Sequence, residues 1–315
     1  MTLRPVPGKV SRYFAFLLLF LILRGIAAAE VSFIDKDSGL PPGDVRAIVA
    51  DRQGAWVGVG SWVAHISPLR RVVRSYGPSD GLPGGRIFSL ALFQEKVYAG
   101  TESGLAVLDG NRWRVLPKAD RFSLSNCYLR TEPGGKWLWV AAVNTNGGLL
   151  RFDGERWEFL GGEGRGPLNN VRAIVFEGDS AWLGTLGSGV YRRSGTGIQY
   201  FKTRDGLPAS TVGSIEAFGG AIWAGTSKGL ARFENGRWGA VAGSPLPSVS
   251  AMAASPTSLF VGGPNGLFRY GSGTFHPIPF GEAAGGEKPV TALAYSDGVL
   301  YAGTPRGLAI LKEGQ

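Results

Sequence analysis

Two histidines, one cysteine and a scatter of carboxylates are what this chain of 315 residues offers for catalysis. His65 and His276 fall in different parts of different sequence units. A metal centre normally gathers three or four convergent ligands, so a zinc, copper or haem site is not expected. A hydrolase relay needs a histidine beside a serine or cysteine, and no such pairing stands out. Cys127 sits in the apolar stretch Asn126-Cys127-Tyr128-Leu129 and reads as a buried free thiol. As the only cysteine it leaves no intramolecular disulfide. A carboxylate pair could serve glycoside hydrolysis. Yet Asp51, Asp109, Asp153 and Glu234 recur at turn positions, where a side-chain oxygen bonding the local backbone already accounts for them. No P-loop or dinucleotide fingerprint is present, and Gly161-Gly162-Glu163-Gly164 opens no helix. The sequence therefore assigns no catalytic residue, no metal ligand and no cofactor.

Composition points elsewhere. Gly contributes 50 residues, hydrophobic residues make up 44% and charged residues only 18%, the reverse of a disordered chain. With abundant aromatics and no Gly-X-Y period, this implies many short strands joined by tight turns. The N-terminus is a separate element. Arg4, Lys9 and Arg12 precede the apolar run Phe14–Leu23, and Ala27-Ala28-Ala29 precedes Glu30. That is the layout of a signal peptide over residues 1–29, cut between Ala29 and Glu30. The apolar run is too short to span a bilayer. The mature chain, 30–315, is therefore expected in the periplasm or secreted, without stable membrane insertion. Arg4, Lys9, Arg12 and Arg24 leave with the signal, taking the formal charge from +9 to +5. The remaining basic residues form no run, so nucleic acid is not an expected partner.

The elements that would position any site are visible as an internal repeat. An aromatic residue two positions before a small one recurs at Trp56, Tyr98, Trp139, Trp182, Trp223, Phe260 and Tyr301, at intervals of 37 to 43 residues. Thr often follows the small residue, as in Gly100-Thr101, Gly184-Thr185, Gly225-Thr226 and Gly303-Thr304. Eight residues before the aromatic stands Ile48, Leu90, Ile174, Ile215, Met252 or Leu293. The third unit departs, with a longer hairpin through Pro133-Gly134-Gly135. A polar turn and an aromatic strand follow, as in Asp109-Gly110-Asn111-Arg112-Trp113. Gly-Leu-Pro punctuates units at 39–41, 81–83 and 206–208.

Each unit thus holds four short stretches of period-two apolar character separated by turn residues. Four strands cannot bury both sheet faces alone, whereas blades stacked about an axis bury them on one another. The expected fold is an all-β, seven-bladed propeller with four-stranded blades. The last unit ends at Leu308-Ala309-Ile310-Leu311 without a fourth strand, while the mature chain begins Val31-Ser32-Phe33-Ile34. Residues 31–36 are expected to supply that strand, so the last blade is closed by the N-terminus and no sheet edge is left open there.

The units resemble the two-component regulator propeller repeat family. Gly39-Leu40-Pro41, Val45-Arg46-Ala47-Ile48, Asp51, Gly54 and Trp56-Val57-Gly58 follow its pattern, and the similarity runs over residues 31–312. The family's propellers often form periplasmic sensor regions of membrane histidine kinases. No transmembrane, kinase or DNA-binding segment follows the repeats here. The resemblance therefore implies a stand-alone propeller that binds a small ligand, a glycan or a protein partner, acting as a sensor or a scaffold. A separate membrane sensor kinase or another envelope protein is the kind of partner implied. The rival reading is a propeller enzyme, a lyase or glycosidase, acting at the channel mouth.

Propellers bind at one end of the central channel, on loops that lead into the inner strands and loops joining second and third strands. The first kind supplies Arg86, Asn126 and Asn170, with Arg46, Phe88 and Arg172 at the starts of inner strands. The second supplies Trp62, Asn144, Asn146, Lys228 and Arg306. These are the candidate ligand-binding residues. Asn144-Thr145-Asn146-Gly147-Gly148 lengthens its loop, and Trp62 replaces a small polar residue. An exposed indole with amides nearby could stack on a sugar or grip a peptide. The competing structural reading packs Trp62 against a neighbouring blade and uses the asparagines to hold turns.

Overall fold

The structure is a computed structural model and describes residues 31–117, 122–144, 147–161, 167–280 and 289–312. Residues 1–30, which hold the expected signal peptide, Asn146 and the C-terminal residues 313–315 lie outside the described residues.

Seven four-stranded antiparallel sheets form a seven-bladed propeller. Six blades are continuous in sequence, with inner strands Val45–Asp51, Ile87–Phe93, Cys127–Thr131, Val171–Glu177, Val212–Phe218 and Ala251–Ala254. The seventh is composite. Its inner three strands are Ala292–Ser296, Val299–Gly303 and Leu308–Lys312, and its outer strand is Val31–Ile34 from the other end of the chain. The register sets Val31 opposite Leu311 and Ile34 opposite Leu308, so the closing strand expected over 31–36 occupies 31–34.

Seven apolar clusters hold the described ring, one at each junction between neighbouring blades. At the closure, Val57 and Ile66 of the first blade pack with Ile34, Tyr301, Leu308 and Ile310. The backbone joins there too, because the Val45 N–H donates to the Thr304 carbonyl at 3.0 Å. The Thr291 hydroxyl also donates to the Val45 carbonyl.

The small residue after each aromatic has a steric cause. A Cβ on Gly58 would lie 2.7 Å from Ile87, on Gly225 2.8 Å from Val249, and on Gly303 2.6 Å from Val45. Each of these partners lies at or just before the start of the next blade's inner strand. Glycine at this position sets how closely successive blades approach, and only Ala141 of the third blade carries a Cβ there. The threonine that follows ties the turn between second and third strands. The Thr101 hydroxyl donates to the Gly104 carbonyl at 2.9 Å and accepts from the Ser103 and Gly104 N–H groups. Thr226 and Thr304 act alike. In the Gly-Leu-Pro segments the leucines Leu40, Leu82 and Leu207 are buried. Gly206 is left-handed (φ +100°) and sits where a Cβ would meet the Trp238 carbonyl at 1.9 Å. The repeat signature is thus accounted for by folding.

Candidate functional site

All inner strands begin at the same end of the channel, because each second strand returns there and each third strand departs from it. At that end a cavity of ≈ 640 Å³ is lined by residues from all seven blades, within the size range of small-molecule sites. Its lining is not symmetric. Blades one to four contribute Arg46, Arg86, Arg130 and Arg172 with the rings of Phe88 and Tyr128. Blades five to seven contribute mainly the hydroxyls of Thr211, Ser214, Ser227, Ser248, Ser250 and Thr291, and one carboxylate, Glu216.

Two of the four guanidiniums are already neutralised. Arg46 pairs with Asp44 on the rim. Arg130, from the third blade, reaches Glu216 of the fifth at 3.8 Å, which spans the space in front of the fourth blade. Among the described residues, Arg86 and Arg172 have no carboxylate within ion-pair distance. Arg172 instead lies 5.5 Å from the centre of the Tyr128 ring, a cation–π contact, and Tyr128 stands 5.7 Å from Phe88. The Glu102 carboxylate accepts the Arg86 backbone N–H at 3.3 Å.

Burial governs the titration of the polar groups here. It pushes the Tyr128 phenol up even though Arg172, Arg46 and Arg86 all favour the phenolate. It also raises the Glu216 carboxyl, against the opposing pull of Arg130. Both groups therefore resist carrying charge more than a surface tyrosine or glutamate would.

The candidate residues read from the sequence divide into two groups. Arg46, Arg86, Phe88 and Arg172 converge on the cavity. Asn126, Asn144, Asn170, Lys228, Arg306 and Trp62 belong to the loops and strand starts of the same end but do not line it. Trp62 opens the third strand of its blade, half-buried, with its ring so close over Gly77 that an added Cβ would stand 2.5 Å away. The Asn144 amide donates to the carbonyls of Ser123 and Ser125 at 3.2 and 3.0 Å. Asn126 adopts φ +52° and links Thr101 to Val143 through its backbone. The Asn170 carbonyl accepts the Leu186 N–H at 3.0 Å. Lys228 and Arg306 are exposed, their N–H groups held by Thr226 and Thr304. Asn146 lies outside the described residues.

Tyr128, Arg130 and Glu216 are the aromatic and charged lining residues that sequence reading passed over. Six blades carry Ala or Ser opposite the blade-contact glycine: Ala47, Ser89, Ala173, Ser214, Ala251 and Ala292. Tyr128 fills that position in the third blade, opposite Ala141. Two residues further along the inner strand the other blades have Val49, Ala91, Val175, Ala253 and Ala294, whereas Arg130 and Glu216 face the aromatics Trp139 and Trp223. Aligning the third unit by strand pairing rather than by distance to the aromatic would have exposed Tyr128 and Arg130, while Glu216 keeps the usual distance to Trp223 and is legible as a charge in an apolar column.

The other chemistry-bearing side chains are elsewhere. His65 stacks on Trp56 with centroids 4.3 Å apart, and burial lowers its pKa. Cys127 is fully buried with its Sγ 2.9 Å from the Leu124 carbonyl, and burial pushes the thiol up. His276 contacts Thr274 on an exposed outer strand. Asp51 and Asp153 accept backbone N–H groups within their own turns. Among the described residues no three His, Cys, Asp or Glu side chains cluster as a metal site would need. No described helix is long and apolar enough to cross a membrane.

The fold thus defines a seven-bladed propeller with an asymmetric, arginine-bearing cavity at one mouth. Comparison with solved structures finds the same architecture in extracellular domains of bacterial two-component regulators. The extracellular domain assigned to the hybrid two component system BT3049 of B. thetaiotaomicron superposes with TM-score 0.73 at 18% identity, over 90% of this chain and 41% of that one. That assigned to the one component system BT4673 of the same organism gives 0.70 at 18% identity, over 90% and 40%. PorZ, a surface component of the type-IX secretion system of Porphyromonas gingivalis, gives 0.62 at 14% identity, over 90% and 38%. The chain spans about two fifths of the length of these neighbours. No known family profile and no curated sequence matches it. The likeness in space and the resemblance in the repeats agree on the propeller class.

Proposed function

We propose that this protein is an exported, non-catalytic, sensor-like propeller that binds a small ligand at the channel mouth where its inner strands begin. The observation that carries the reading is the cavity itself. Every blade contributes to it, and its lining departs from the repeat where the repeat would otherwise be small and apolar: Tyr128, Arg130 and Glu216. Folding alone does not call for a tyrosine in an Ala/Ser column or for charges in a Val/Ala column. Phe88 and Tyr128 offer ring faces, while Arg86 and Arg172 offer unpaired donors. Glu216 is a lone carboxylate already paired with Arg130. That arrangement suits binding better than the two-carboxylate chemistry of a glycosidase.

Export is supported by the N-terminal segment and by extracellular-domain neighbours, an analogy of fold and not of site. On this reading residues 1–29 are removed and the propeller works outside the cytoplasm, where a membrane sensor kinase or another envelope protein would receive its ligand state. N-terminal sequencing of the envelope form should begin at Glu30.

The test of the binding reading is a thermal-shift screen of metabolites and glycans against the purified protein, repeated with Phe88→Ala and Arg172→Ala. Both variants should fold and melt like wild type without ligand, because Arg172 is exposed and Phe88 half-buried. Any compound that raises the wild-type melting temperature should lose its effect in both. Stabilisation that survives both substitutions would place the ligand elsewhere, and turnover of a stabilising compound would favour the enzyme reading.

A further inference from the structure

The charge pattern of the mouth carries the reading a step further and rests on it. We infer that the ligand is a small oxyanion carried on a hydroxyl-rich scaffold, gripped by Arg86 and Arg172 beside Phe88 and Tyr128. Four guanidiniums and one carboxylate line the cavity. Asp44 answers Arg46 and Glu216 answers Arg130, which leaves Arg86 and Arg172 as the uncompensated pair among the described residues. They come from the second and fourth blades, either side of Tyr128 of the third, and both favour the charged form of its phenol, so a single anionic group in the cavity lies in the field of both guanidiniums. A planar fork with paired N–H donors matches carboxylate, sulfate or phosphate oxygens.

The neutral half of the cavity completes the description. On the blades away from the arginines stand Thr211, Ser227, Ser248 and Ser250. Hydroxyls both donate and accept, which suits a partner that is itself rich in hydroxyls and carries its charge at one end. Phe88 and Tyr128 supply an apolar face for a ring. A wholly cationic ligand is excluded by the same balance, since it would face Arg86 and Arg172 without a free carboxylate.

The probes are D-glucuronate, glucose 6-phosphate and glucose 6-sulfate, with glucose as the uncharged control, titrated calorimetrically into the purified protein. At least one anion should bind at least tenfold more tightly than glucose, and its affinity should fall as sodium chloride rises from low to high concentration. Arg86→Ala and Arg172→Ala should each weaken it about tenfold or more. Arg86→Lys, which keeps the charge and loses the fork, should fall between. Arg112→Ala on an exposed outer strand should change nothing. The carboxylate, phosphate and sulfate arms identify which oxyanion the mouth prefers. Glucose binding as tightly as the anions, with both weakened by Phe88→Ala, would overturn the anion inference and leave the mouth as the ligand site. Anion binding indifferent to both arginine substitutions would overturn both. An absence of binding by all three anions would overturn the inference here, while the metabolite screen judges the mouth independently.

Discussion

Replacing Ile34 by alanine tests the ring closure at one side chain. Ile34 ends the short strand that the N-terminus lends to the seventh blade, opposite Leu308. It is 4% exposed and packs where the first and seventh blades meet, with Val57, Ile66 and Ile310. Ile34→Ala removes three buried carbons, worth roughly 2.4 kcal/mol at about 0.8 kcal/mol per buried methylene. The cavity left between two blades adds to this, and large-to-small core substitutions of this kind cost about 2–5 kcal/mol. A loss of about 3 kcal/mol corresponds to a drop in melting temperature of roughly 5 °C for a domain of this size. Calorimetry of the purified protein measures it. Ser32→Ala, which removes a hydroxyl accepting from Arg70 at 2.8 Å on the same strand, should cost under about 1 kcal/mol. If Ile34→Ala melted within a degree or two of wild type while keeping its fold, the N-terminal strand would not be holding the last blade. The ring would then owe its stability to the other junctions.

Further outcomes follow from the same packing and burial. Gly225→Ala sets a Cβ 2.2 Å from Ser214 and 2.8 Å from Val249, so it should destabilise by about 1–3 kcal/mol in urea unfolding through overpacking between blades five and six; Gly236→Ala, in open space at φ +81°, should show only the backbone cost. Glu216 has its folded pKa raised above its ordinary value of 4.5 by burial. The folded protein therefore holds that proton more tightly than the unfolded chain, and stability is lost as pH rises from about 4.5 through the folded value. The melting temperature of Glu216→Gln relative to wild type should climb over that window; a flat difference would mean that the pull of Arg130 cancels the effect of burial, and a falling one that Arg130 dominates. Cys127, buried with its thiol held protonated, should not react with a thiol reagent in the native protein and should react fully in denaturant.

Much of this molecule is legible because propeller folding repeats its demands. The blade-contact glycines, the turn-tying threonines and the buried leucines of Gly-Leu-Pro recur since every junction poses the same steric problem. The closing strand was readable from a deficit at one end and a surplus at the other. The candidate site was legible only in part. Arg46, Arg86, Phe88 and Arg172 could be named from their place at the starts of inner strands. Trp62 drew notice as a large residue at a small position, yet its ring covers Gly77. Tyr128 escaped notice because the third unit's longer hairpin moves it two places out of register with its counterparts.

The chain by itself determined the number of blades, the type of strand at each step and the way the ring shuts, because local turn chemistry and alternating burial act over a few residues and leave a periodic trace. Only the tertiary structure decided which side chains from different blades meet. Arg130 and Glu216 become neighbours, and Arg86 and Arg172 come to line one cavity, through the radius of the channel and the stagger of its inner strands. Those distances arise from all seven junctions together, so no single repeat records them.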